Sequence, residues 1–202
     1  MLQHTIGLLI KPSAEWRRIA AMPTRSFNTL LLYPCLLAII PAVSWYYGTS
    51  QVGWTVAGDD DAIRLTADSA RELTLLFYFA MLGCVAAVGY FIHWMAGTYG
   101  AQVGLARGII TAGLTVTPLF VFGIVGIYPL LWLDLLFGVI AVSWSVFLLY
   151  QGIPIMMNIP EERGFLFSSA VVAVGLVILV SLMVATVLLW DVGTGPAFTD
   201  AL

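Results

Sequence analysis

Charge is scarce in this sequence. Only 9% of its 202 residues are Asp, Glu, Lys or Arg, whereas 61% belong to the apolar set. A soluble domain carries about 25% charged residues. Eight basic and eleven acidic side chains cannot cover a water-soluble surface of this size, which excludes soluble enzymes and disordered chains. An excess of positive charge is missing as well. The formal net charge is −3, and nucleic acid, which requires a basic face, is removed as a partner. Cysteine is nearly absent, and Cys35 and Cys84 both lie in apolar runs. A secreted disulfide scaffold is thereby excluded, and both residues read as small packing groups. Histidine is equally rare. His4 and His93 fall in different segments without further ligands at metal-binding spacing, so no metal or other cofactor is expected. The signatures G-x-S-x-G, H-E-x-x-H, G-x-x-x-x-G-K-[ST] and C-x-x-C are all missing, which points away from catalysis.

Hydrophobic length is what remains. The mean hydropathy is +0.99, and crossing a bilayer takes about 20 consecutive apolar residues. Five runs reach that length, at residues 28–48, 73–96, 108–128, 130–151 and 165–190. The fold expected is all-α: a polytopic membrane protein with a bundle of five transmembrane helices and a short N-terminal interfacial helix. Residues 1–27 then form a cytoplasmic lead-in, 28–190 the transmembrane domain and 191–202 a short external tail. Lys11, Arg17, Arg18, Arg25, Arg107 and Arg163 fall on one side of this topology, and Arg64 and Arg71 on the other. The positive-inside rule places the larger group, with the N-terminus, in the cytoplasm. The aspartate-rich loop with Asp59, Asp60 and Asp61 faces outward, as does the tail with Asp200. In the lead-in, Ser13 is expected to cap a helix whose apolar side is Trp16, Ile19 and Ala20, lying on the leaflet with Arg17 and Arg18 in the headgroups.

Ionisable groups within a bilayer are costly and mark functional candidates. Two exist: His93, beside Trp94 at the end of the second run, and Asp134, in the first turn of the fourth. Small residues at four-residue spacing, Ser169, Ala173, Ser181 and Ala185, form a helix-packing candidate on the fifth run. Pro34, Pro41 and Pro118 are expected to kink their helices. The connection at residues 152–164 carries Met156, Met157, Glu161, Glu162 and Arg163, and Asn158 followed by Glu161 fits the start of a helix.

Two blocks carry a resemblance. They are Thr117-Pro118-Leu119-Phe120 through Tyr128-Pro129-Leu130, and Leu149-Tyr150-Gln151-Gly152-Ile153-Pro154 leading to Ile159-Pro160-Glu161-Glu162. With the length and the five runs, they make residues 28–190 resemble the bacterial branch of the Yip family, small five-helix membrane proteins whose eukaryotic relatives bind Rab GTPases. The resemblance implies a bacterial inner-membrane protein with a cytoplasmic N-terminus and a periplasmic C-terminus. The Asp-Leu-Tyr-Gly-Pro motif of the eukaryotic members has no counterpart here, so no Rab-contact residue is carried over. The function expected is a non-enzymatic adaptor or organiser that binds other membrane components through its cytoplasmic face, with Trp16, Arg17, Arg18, Met156, Met157, Glu161, Glu162 and Arg163 as interaction candidates. The lipid bilayer, a membrane-protein partner or a second copy of the chain are the partners that suit it. The alternative is a small transporter or channel for an ion or small solute that runs along the proline-kinked helices.

Overall fold

Apolar runs of this length must satisfy their backbone N–H and C=O groups within the segment, and the α-helix does so. The computed structural model describes residues 2–54 and 62–199 and is helical almost throughout. Asp59, Asp60, Asp61 and Asp200 lie outside the described residues. Two short helices come first, α1 (Leu2–Ile10) and α2 (Pro12–Ala20). The first apolar run is broken into α3 (Thr24–Asn28), α4 (Tyr33–Leu37) and α5 (Ile39–Tyr47). After it come α6 (Ala67–Ala96), α7 (Leu105–Thr115), α8 (Thr117–Phe122), α9 (Leu131–Met157) and α10 (Glu161–Leu189). Four stretches, Arg25–Val52, Ala67–Tyr99, Leu131–Met157 and Glu161–Leu189, are long and apolar enough to cross a membrane; a fifth appears if Leu105–Thr115 and Thr117–Ile127, bent by 43°, are one span.

The breaks fall at prolines, which cannot donate to the preceding turn. Pro34 opens α4, and Pro118 opens α8 beyond the bend. These kinks are also where the first span meets the bent pair. A Cβ on Gly113 would meet the Pro34 ring at 3.1 Å, and one on Gly123 would meet Pro41 Cβ at 2.5 Å. Glycine in one span leaves room for the proline rings of the other. Further along, a Cβ on Gly48 would lie 2.0 Å from the Gly126 carbonyl oxygen, while Gly108 at the start of α7 abuts Gly89 of α6. The bent pair therefore runs alongside the whole first span, from the α6–α7 connection to Gly48, as one crossing would.

Expectations about the lead-in and the last connection are corrected. Residues 2–20 hold two helices, and the apolar side of α2 faces protein where lipid was expected. Trp16 and Ile19 are fully buried, with the indole packed on Gly152 of α9. Ser13 caps nothing: it sits in the first turn of α2, whose cap position is Lys11, and its hydroxyl donates to Gln151 Oε1 at 2.9 Å. The fourth membrane helix runs past Gln151 to Met157, taking Pro154 into its interior. Asn158 ends it in the left-handed conformation (φ 52°) and does not open α10, whose cap position is Pro160.

The first and last described segments lie at opposite ends of the bundle. At one end α1 and α2 pack beside the C-terminal half of α9. At the other, residues 197–199 pair with the segment before α6. Thr66 N–H donates to Ala197 O at 2.9 Å, Thr199 N–H to Arg64 O at 2.9 Å, and the Trp54 and Phe198 rings meet edge to face.

Candidate functional site

The end holding Lys11, Arg17, Arg18, Arg25, Arg107 and Arg163 is where three polar segments converge. α1 and α2 form a hairpin there, closed by a buried side-chain hydrogen bond. Glu15 is only 7% exposed, and its Oε1 lies 2.5 Å from His4 Nδ1, with Arg18 Nη1 at 3.9 Å from Oε2. Gly7 of α1 leaves the space that the Glu15 carboxylate fills. Buried carboxylates are costly unless paired, so this pair fixes α1 against α2.

A hydroxyl chain pins the hairpin to the bundle. Thr117 Oγ1 donates to Leu114 O at 2.6 Å, so it accepts from Tyr33 OH at 2.9 Å. Tyr33 OH in turn accepts from Thr5 Oγ1 at 3.0 Å. α1, α4 and α8 are thereby joined through groups that are all buried. His4, Thr5, Glu15, Tyr33 and Thr117 did not stand out as a set in the sequence, where they span more than a hundred positions. The only signal was a carboxylate within an otherwise basic lead-in.

The α6–α7 connection docks beside them. Gly100 turns with φ 85°, a conformation that glycine adopts at little cost. His93 Nδ1 donates to Val103 O at 2.8 Å, so His93 braces this connection. Arg107 donates from Nη1 to Met156 O at 2.9 Å and places its guanidinium 5.2 Å above the Phe27 ring. It thus ties α7 to α3 and to the last turn of α9. Arg163 abuts Gly100, and Tyr99 stacks on Phe167 of α10 with centroids 4.7 Å apart.

Among the expected interaction residues, Trp16 and Met156 are fully buried and Met157 is 3% exposed. They are core, not surface: α2 covers α9 where a lipid or partner surface was expected. Arg17, Arg18, Glu161, Glu162 and Arg163 remain exposed. Arg17 and Glu161 line one cleft of about 500 Å³ together with Ser13, Tyr150, Gln151, Pro154, Ile155, Ile159 and Phe165. A second cleft, of about 570 Å³, is lined by residues 100–104, Arg107, Met157 and Asn158.

The two intramembrane candidates are not brought together, since His93 lies at this end and Asp134 in the first turn of α9 at the other. On α10, Ser169 accepts a hydrogen bond from Tyr150 OH at 2.8 Å, while Ala173, Ser181 and Ala185 are exposed. Beyond Ser169 the row is therefore exposed and not buried in a helix interface among the described residues. No group of three or more His, Cys, Asp or Glu among the described residues could hold a metal ion.

Comparison with known proteins agrees with this architecture. The Yip1 domain matches residues 6–182, so the match begins within α1 and includes the N-terminal hairpin. Over 192 residues the chain is 38% identical to "Inner membrane protein YohC" of Escherichia coli strain K12, covering 95% of this chain and 98% of that protein. The protein of the same name from Escherichia coli O6:H1 strain CFT073 is matched to the same extent. No solved structure matches.

Proposed function

The chain belongs to the Yip1 domain family and is a multi-pass inner-membrane protein, and from that premise we propose that it acts as an adaptor that binds another membrane component through its basic end. One observation carries this reading. The hairpin α1–α2, the α6–α7 connection and the α9–α10 connection are fastened to one another by Ser13–Gln151, Arg107–Met156 and the Arg163–Gly100 contact. Arg17, Arg18, Glu161, Glu162 and Arg163 are exposed on these joined segments. Fixed mixed charge of this kind selects a partner by complementarity and sets its orientation. The basic end faces the cytoplasm in this reading, as the distribution of Lys and Arg favours.

A photo-crosslinking side chain placed at Glu162 or Arg163 in intact membranes tests it. Those positions should capture a single membrane protein, and one at Leu188, at the far end of α10, should not. The charge reversals Glu162→Lys and Arg163→Glu should abolish capture without lowering the amount of protein in the membrane. Flux of an ion or small solute through liposomes containing only this protein would overturn the adaptor reading in favour of transport.

A further inference from the structure

We infer that the cleft between α2 and the α9–α10 connection binds a zwitterionic phospholipid headgroup, a phosphate with a primary ammonium. This inference stands apart from the adaptor reading and survives its failure. Arg17 on α2 and Glu161 at the start of α10 line the same cleft of about 500 Å³. That size lies within the roughly 300–1,000 Å³ of small-ligand sites. Among the described residues, neither side chain has an ion pair or hydrogen bond: Glu15 takes Arg18 and His4, and Asp68 takes Arg71. An anionic headgroup would match Arg17 and be repelled by Glu161; a simple cation would do the reverse. A ligand bearing both charges satisfies both walls.

The neutral groups of the cleft support the same assignment. The Gln151 side-chain carbonyl already accepts from Ser13, which leaves its NH₂ as the donor for a phosphate oxygen beside the Arg17 guanidinium. Arg offers a planar fork of donors that matches a phosphate. The Tyr150 hydroxyl is spent on Ser169, which itself donates to Phe165 O, so the phenol contributes only an apolar wall. At the ammonium end the carboxylate of Glu161 is an acceptor, and a primary ammonium has N–H groups to give it. The remaining lining is apolar: Pro154, Ile155, Ile159 and Phe165. Phe165, in the wall of the cleft, is 59% exposed, and acyl chains attached to the headgroup would run along it. That apolar margin selects a lipid over a soluble phosphoamine.

The test uses the full chain, purified in mild detergent with equimolar phosphatidylethanolamine and phosphatidylglycerol, and counts retained lipids by native mass spectrometry. The wild type should retain the ethanolamine lipid about two- to fivefold over the glycerol lipid, the ratio that a partly exposed ion pair commands. Glu161→Gln should bring that ratio to about one while total retention changes little, and Arg17→Gln should lower retention of both lipids. Both side chains are exposed, and the circular dichroism of each variant should match the wild type. Glycerophosphoethanolamine, which has the headgroup without chains, should not displace the lipid at equal concentration. An ethanolamine preference unchanged by Glu161→Gln, undiminished retention in Arg17→Gln, or displacement by the chainless headgroup would each overturn the assignment.

Discussion

Gly108→Ala is expected to be among the most damaging single-methyl additions to this protein, and Gly83→Ala among the most benign. Both glycines are helical, Gly108 in α7 and Gly83 in α6. A Cβ on Gly108 would lie 2.3 Å from the Gly89 carbonyl oxygen, about 1 Å short of the 3.4 Å at which ordinary contact begins. The obstacle is backbone, which cannot rotate away as a side-chain tip does. Relief requires α6 and α7 to separate along their crossing, where Val85, Gly89, Ile92 and Ile110 are buried. Overpacking of this kind costs about 1–3 kcal/mol, and a rigid neighbour places Gly108→Ala near the top of that range. For a chain of this length that lowers the midpoint of thermal unfolding by about 6–12 °C. Gly83 has no heavy atom within 4 Å of its built Cβ, so alanine there recovers up to about 1 kcal/mol of helix propensity. Thermal unfolding in detergent, followed by circular dichroism, separates the two. Equal midpoints for Gly108→Ala and Gly83→Ala would refute the close backbone crossing of α6 and α7.

Three further outcomes follow from the same geometry. His4→Ala leaves Glu15 buried with only the longer contact to Arg18, at a cost of about 3 kcal/mol; hydrogen exchange should rise in residues 2–20 and stay unchanged across α6 and α7. Gly152→Ala puts a methyl 2.6 Å from the Trp16 ring, so it should displace α2 at a cost of about 1–3 kcal/mol, seen as protease cleavage within residues 11–21 that the wild type resists. Ala173→Leu with Ser181→Leu should leave the unfolding midpoint of monomeric protein unaltered, because neither residue is buried; a large drop would mean that this face packs within the monomer after all.

The spans were legible because hydrophobic length is a one-dimensional signal. Each of the five expected runs lies largely within one of the four long stretches or the bent pair, with boundaries shifted by a few residues. The kinks were legible for a similar reason, since proline acts on its own turn. What stayed hidden depends on pairing across distance. Glu15 read as one acid among arginines, because only the α1–α2 hairpin brings His4 beside it. Trp16 read as a lipid anchor, because a tryptophan near arginines looks the same whether it meets a headgroup or a glycine notch on α9. Gly152 was that notch, yet a glycine near a proline reads first as a helix end. Met156 and Met157 read as a docking surface only if the helix stops at Gln151. Once α9 continues through Pro154, they fall in its last turn and inside the core.

α10 shows what apolar composition alone does not decide. A helix apolar on every side is either buried in protein or faces lipid, and small residues at four-residue spacing argue for burial against another helix. Its buried residues are Gly164, Phe167, Ser168 and Val171 alone, all in its first eleven positions. Beyond Val171 none of its residues is fully buried, and Leu176, Val177, Leu179, Val180, Met183, Val184 and Val187 are each more than half exposed. No aqueous surface tolerates a stripe of that length, so the membrane is the solvent of this half of α10. Both of its ends are nevertheless tied down. Phe167 stacks on Tyr99 near its start, and beyond its end the Ala197 N–H donates to Ser69 Oγ at 3.0 Å. A lipid-facing helix held at both ends needs few contacts between them, because leaving it costs nothing that the bilayer does not restore. The free energy that fixes this fold is concentrated elsewhere, in the proline–glycine contacts between the first span and the bent pair and in the polar joints of the basic end.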